Sequence, residues 1–178
     1  MRMINRPLMA ATAVVGVCAL APAGAGAQVP PVPDITDAEF LAAAAQGNRF
    51  EVVTGRLAAR RAGSRAVRRL GRQFVRHHRT QLQLGAAVAA RLGIALPAGL
   101  NARQQRDVER LRARRGRRFD RLWLNIQLRA HQEAIALHVR AGVNGDTPEF
   151  RTLAVSALPV IGQHYGELLI LRRRHHRS

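Results

Sequence analysis

Residues 64–92 read SRAVRRLGRQFVRHHRTQLQLGAAVAARL. Placed at about 100° per residue, Arg65, Arg68, Arg72, Arg76 and Arg79 form one stripe, and Val67, Leu70, Phe74, Gln81 and Val88 lie opposite it. This is the period of an amphipathic α-helix rather than the two-residue alternation of a strand. Ser64 stands at an N-cap position, and Gly93 is suited to a left-handed C-cap, so the stretch predicts a helix over 65–92. His77 and His78 flank the apolar face on either side, and either one can point inward.

The neighbouring segments repeat the pattern. Thr36-Asp37-Ala38-Glu39 matches a capping box and opens a helix to about Ala62, before the break at Gly63-Ser64. A loop with Pro97 and Gly99 covers 94–100, and Asn101 caps a short polar helix ending near Gly116. A third long helix is expected from near Arg118 to Gly142, ahead of the turn residues Asn144-Gly145-Asp146. Thr147-Pro148, a cap followed by proline at the first helical position, opens the last long helix, which runs to about Arg173 and is kinked at Pro159. Four long helices joined by short connections predict an all-α, up-and-down four-helix bundle, with a short extra helix between the second and third.

Composition agrees. Of 178 residues, 47% are hydrophobic and only 4% aromatic, which suits helices better than sheets. All 29 basic residues are arginine and 11 residues are acidic, giving +18. Residues 1–27 read as a secretory signal peptide: Arg2 and Arg6, an apolar run from Leu8 to Leu20, and Ala25-Gly26-Ala27 before Gln28. The run is shorter than the roughly 20 residues of a membrane span. Cleavage removes Arg2, Arg6 and Cys18, leaving 27 arginines against 11 acids, or +16, and no cysteine. The organisation read from the chain is therefore signal peptide 1–27, proline-rich lead 28–35, bundle 36–173 and a basic, frayed tail 174–178. Export to the periplasm or beyond, with possible envelope association, argues against a nucleic-acid partner despite the arginines.

Polar groups on the inward faces are the informative ones. Glu51 sits among Phe40, Ala44, Gly47 and Ala58 on the first helix, where a lone carboxylate is costly to bury. On the third helix Trp123, Ala130, Ala134 and Leu137 face the core, and Asp120, Gln127, His131 and His138 form a polar line along its edge. His164 lies inside the apolar stripe Phe150, Ala157, Ile161, Leu168 and Leu171 of the last helix. Glu51, one of His77 or His78, His131 and His164 thus supply one inward group per long helix. Counting residues from the two turns puts Glu51 and His78 within about one helical turn of the same level, and offsets His131 from His164 by ~7–8 Å.

Three imidazoles and a carboxylate suit one transition-metal ion: Zn, Fe, Mn or Cu. The candidate ligands are Glu51, His78, His131 and His164, with His77 as substitute for His78. Two other readings stay open: a polar core whose members satisfy one another, with Glu51 paired to His78, or a pocket for a small molecule or anion. Asp120 reads best as a cap of the third long helix or a partner of arginine. The Glu-x-x-His pairs of a di-iron centre are missing, since Phe74, Val75, Leu128 and Ile161 precede the histidines by three. Glu167 falls on the outer side of the last helix. No nucleophile constellation, phosphate loop or zinc-protease motif is present, so an enzyme is not expected.

The chain resembles a bacterial domain-of-unknown-function family, number 4142, over roughly residues 36–171. The likeness is carried by Asp37-Ala38-Glu39-Phe40-Leu41, Glu51 with Gly55-Arg56-Leu57-Ala58, His78 ahead of Leu96-Pro97, Gly116 with Phe119-Asp120, His131-Gln132, and Leu158-Pro159 leading to His164. It implies a ferritin-like four-helix bundle and export, and it singles out Glu51, His78, His131 and His164. His77-His78 stands where the family commonly has Asp-His. The expectation is an exported bundle, envelope- or stress-related, that binds a transition metal. The alternative is an arginine-rich envelope module holding anionic polymers or a lipid surface without a metal.

Overall fold

The computed structural model describes residues 34–176, and the stretch read as a signal peptide, most of the proline-rich lead and residues 177–178 of the tail lie outside them. Six helices follow in the described residues: α1 Asp37–Arg61, α2 Arg65–Arg91, α3 Ala102–Arg112, α4 Gly116–Asn144, α5 Pro148–Ser156 and α6 Leu158–His176. They form the all-α up-and-down bundle read from the sequence, with α5 and α6 together as the fourth long member and α3 as the short insertion. No helix among the described residues is long and apolar enough to cross a membrane.

The predicted caps form. Thr36 accepts from the Glu39 amide while the Glu39 carboxylate accepts from the Thr36 amide, and Asn101 and Gln104 repeat the box at α3. Ser64 and Thr147 cap α2 and α5. Gly93 adopts φ +67° behind α2.

Three boundaries differ from expectation. Gly116 begins α4 instead of ending α3, at φ +58°, a conformation open to glycine. Pro159 does more than kink the last helix: the chain turns at Ala157 and restarts, because proline cannot supply the amide that would continue the helical ladder. The basic tail is not frayed through its described part, since α6 continues to His176. Glu167, expected outside, is half-buried and accepts from Gln73 of α2.

α1 packs along α2, and α4 packs against α1, α5 and α6. The α1–α2 pair is close enough that a Cβ on Gly55 would lie 2.7 Å from the Gly71 carbonyl, and one on Gly71 would lie 2.7 Å from the Ala58 Cβ. Glycine is required at that crossing. Two apolar clusters fill the bundle. One surrounds Trp123, Phe74, Phe119 and Leu168, all fully buried. The other joins Ile35, Phe40, Leu41, Ala89, Ala141, Phe150 and Ala154. In chain order His78, His131 and His164 fall between the two, and Glu51 follows Phe50 of the first cluster on α1.

Candidate metal centre

The polar line expected at the edge of α4 is inside. Asp120 and Gln127 are fully buried and His131 nearly so, because α4 packs against α1 as well as α6. Each has a distinct task, and that of Asp120 is not the expected cap of its own helix, which has no side-chain cap. Asp120 accepts from the Gly63 and Ser64 amides at 2.9 and 2.8 Å, capping the start of α2 from across the bundle. Gln127 donates to Thr54 Oγ1 at 2.7 Å; Thr54 in turn donates to the Phe50 carbonyl, and Trp123 Nε1 donates to the Thr54 carbonyl. These bonds tie α4 to α1 directly beneath the histidines.

His78, His131 and His164 converge. One ring nitrogen of each lies within 4.8 Å of the others, and all three side chains are buried. His131 Nδ1 donates to the Gln127 carbonyl at 2.9 Å, which leaves its Nε2 lone pair free. His78 Nδ1 donates to Asn48 Oδ1 at 2.8 Å, and its buried Nε2 has no partner. His164 Nε2 shares a hydrogen bond of 2.8 Å with His77 Nδ1, turning His164 Nδ1 toward His131 Nε2, 3.4 Å away. Phe74 floors the group, its ring centroid 4.5 Å from that of His164, 5.0 Å from His131 and 5.7 Å from His78.

The sequence left His77 and His78 as alternatives, and both take part, in different places: His78 in the cluster and His77 behind His164. Despite the expected level offset, the side chains of His131 and His164 meet, with His131 Nε2 3.4 Å from His164 Nδ1, where α6 packs on α4. Glu51 is buried and lines the same cavity but lies outside the three-histidine cluster. It does not pair with His78, which Asn48 occupies instead. Asn48 was missed, although it stands three residues before Glu51 on the same face of α1.

Burial dominates the electrostatics. It pushes His131 down to about 4 and His164 to about 3, the latter helped by its histidine neighbours, and it lowers His78 well below the ordinary range. The imidazoles are therefore neutral at physiological pH, the form that offers a lone pair. Burial raises the Glu51 carboxyl well above the usual carboxylate range, opposed by its neighbour Gln127. Glu51 Oε2 has no hydrogen-bond partner.

The donor set fits a metal ion. A separation of 3.4 Å is long for a hydrogen bond, and it matches two nitrogens each about 2 Å from a common ion in tetrahedral array. The second nitrogen of every ring is fixed by an outer partner, Asn48, the Gln127 carbonyl or His77, as ligating imidazoles require. A cavity of about 300 Å³ adjoins the cluster, with Ala44, Ala130, Ala134, Leu137 and Ile161 among its apolar walls and Arg103 and Glu133 among its exposed ones.

A family model described as "Domain of unknown function (DUF4142)" matches residues 21–169. The chain belongs to this family. DUF4142 membership agrees with the resemblance seen in the motifs and extends its span at the N-terminal side. No curated protein matches the chain. Among solved structures, one described as "CopM in the Cu(II)-bound form" superposes with a TM-score of 0.69 at 15% identity, covering 80% of this chain and 99% of that one. At that identity the likeness is one of fold, and it supports the bundle architecture of this DUF4142 protein.

Proposed function

We propose that the protein is an exported copper-binding bundle in which His78 Nε2, His131 Nε2 and His164 Nδ1 hold one Cu(II) ion. The convergence of three neutral, buried imidazoles, each oriented by a separate outer partner, carries this reading. Imidazole ligands suit copper, and among divalent first-row ions Cu(II) binds such sites most tightly. The structural neighbour described in its Cu(II)-bound form points the same way. Glu51 stands beside the site as a buried carboxyl rather than as a fourth ligand, and the protein's role is to hold the ion, not to turn over a substrate. Export rests on the signal pattern of residues 1–27.

Metal analysis and calorimetric titration of the purified protein test the site. One Cu(II) per chain is expected, with nitrogen hyperfine structure in its electron paramagnetic resonance spectrum. His131→Ala and His78→Ala should each lose that stoichiometric ion. A protein that takes up no copper, or variants that bind it as the parent does, would overturn the proposal. Mass determination of secreted protein starting at Gln28 tests export.

A second reading is favoured by one observation. Arg65, Arg72, Arg76 and Arg79 are exposed along α2, and none is in an ion pair among the described residues. Such a stripe would attract anionic envelope polymers or lipid headgroups, with an affinity falling steeply as salt rises. Binding that is indifferent to salt would remove this reading while leaving the copper site untouched.

A further inference from the structure

The cavity beside the histidines is much larger than an ion. Its volume of about 300 Å³ compares with about 30 Å³ for one water in the liquid, so several non-hydrogen atoms fit next to a bound metal. Three protein ligands leave at least one coordination position open, as in metal sites that admit an exogenous group. The charge balance is also incomplete. A divalent ion on three neutral imidazoles places two positive charges in a largely apolar chamber, and a buried charge requires compensation. Two carboxyls line this cavity. Glu133 is already engaged by Arg103 and Arg129. Glu51 is 5% exposed, has a free oxygen and lies outside the cluster.

Resting on the copper-binding reading, we infer that the cavity admits a small monovalent anion from solution as the exogenous ligand of the metal. The anion would be housed in the part of the cavity lined by Ala130, Ala134 and Leu137 and would neutralise part of the ion's charge. Binding is a ligand exchange: the anion replaces water at the metal, with no change of oxidation state. Arg103 stands at the exposed wall of the same cavity but is paired with Glu133, so that wall carries little net charge. The chain's excess of arginine over acid favours the approach of anions over cations. Glu51 supplies a polar wall, not the compensating ligand.

Azide is a suitable probe, because its coordination to Cu(II) is directly visible. After copper uptake has been measured, azide added to the copper-loaded protein should produce a saturable azide-to-copper charge-transfer band and shift the resonance spectrum. Glu51→Gln should retain both copper and the azide response. Ala134→Phe, which fills the chamber one turn from His131, should keep stoichiometric copper and weaken azide binding at least roughly tenfold, the change that a 1.4 kcal/mol loss represents. Absence of copper uptake in the parent would defeat the metal-binding reading itself. Copper uptake without an azide response, or a response undiminished in Ala134→Phe, would overturn the inference alone. Loss of copper in Glu51→Gln would show that Glu51 compensates the charge and would also overturn it.

Discussion

Three carboxyls are buried in this bundle: Asp107 is paired with Arg110 and Arg129, and the other two are treated in opposite ways. Asp120 is fully enclosed and both its oxygens accept amide hydrogens, from Gly63 and Ser64, at the positive end of α2. Glu51 is nearly as buried, yet one oxygen has no partner and burial holds the group toward its neutral form. The histidines divide similarly. His138 donates to the Ala154 carbonyl and packs edge-on against Phe40, which fixes the junction of α4 with α5. His78 has an inward nitrogen with no partner, and His131 and His164 bring ring nitrogens to it. Buried polar groups with complete hydrogen bonding hold the fold together, and two that are left incomplete, Glu51 Oε2 and His78 Nε2, lie at the cavity.

This contrast can be broken most severely at Asp120. Replacing it by alanine strands two backbone amides and removes a charge-assisted cap, so Asp120→Ala should lower stability by about 2–4 kcal/mol. Chemical denaturation measures that loss, and a change below about 1 kcal/mol would mean that the cap is dispensable.

Acid should act on the other half of the comparison. Between the ordinary histidine value of 6.5 and the folded values of about 4 and about 3, the unfolded chain takes up protons that His131 and His164 in the folded protein refuse. The unfolded state then binds more protons, so stability is full above pH 6.5 and falls as pH drops through that window. A loss on the order of a few kcal/mol by pH 4 is expected in denaturation curves, and it should shrink in His131→Gln. The same neutrality predicts that copper affinity changes little between pH 6.5 and 5, where an exposed histidine site would weaken. A titration series across that range distinguishes the two.

A smaller effect is expected from the outer partners. Asn48→Ala leaves His78 in place but frees its ring, which should reduce copper affinity by roughly tenfold or more. The same substitution should leave the Asp120 cap, and hence most of the stability, unchanged.

The smallest change is expected at Glu51. Because a glutamine oxygen can still accept from Gln127, Glu51→Gln should alter stability by less than about 1 kcal/mol near pH 5. Its signature is a pH slope. A carboxyl raised above 4.5 in the folded protein stays protonated while the unfolded chain ionises, so the parent loses stability as pH rises above 4.5. Glu51→Gln should be flatter over that range. A loss of several kcal/mol at pH 5 would instead place Glu51 with Asp120 as a structural group.

Much of this was legible in the sequence, and the reasons are local. The caps at Thr36, Ser64, Asn101 and Thr147 are short-range signals, and the arginine stripe of α2 defines its inner face without reference to any partner. Glu51, His131 and His164 stood out because an ionisable group on an apolar face needs an explanation. What could not be read depended on how helices meet. The burial of Asp120 and Gln127 follows from the packing of α4 on α1 and on the α1–α2 turn, and the meeting of His131 and His164 from the packing of α6 on α4. The tasks of His77 and Asn48 are set by neighbours on other helices. Residue counting along straight rods therefore ranked Glu51 with His78 above His131 with His164, and the bundle reversed that order.

Anomalous scattering at the copper edge from crystals soaked in Cu(II) tests the central claim most directly. The account predicts one strong peak inside the bundle, about 2 Å from His78 Nε2, His131 Nε2 and His164 Nδ1. Peaks confined to surface positions such as the C-terminal histidines, with none between these three nitrogens, would contradict it.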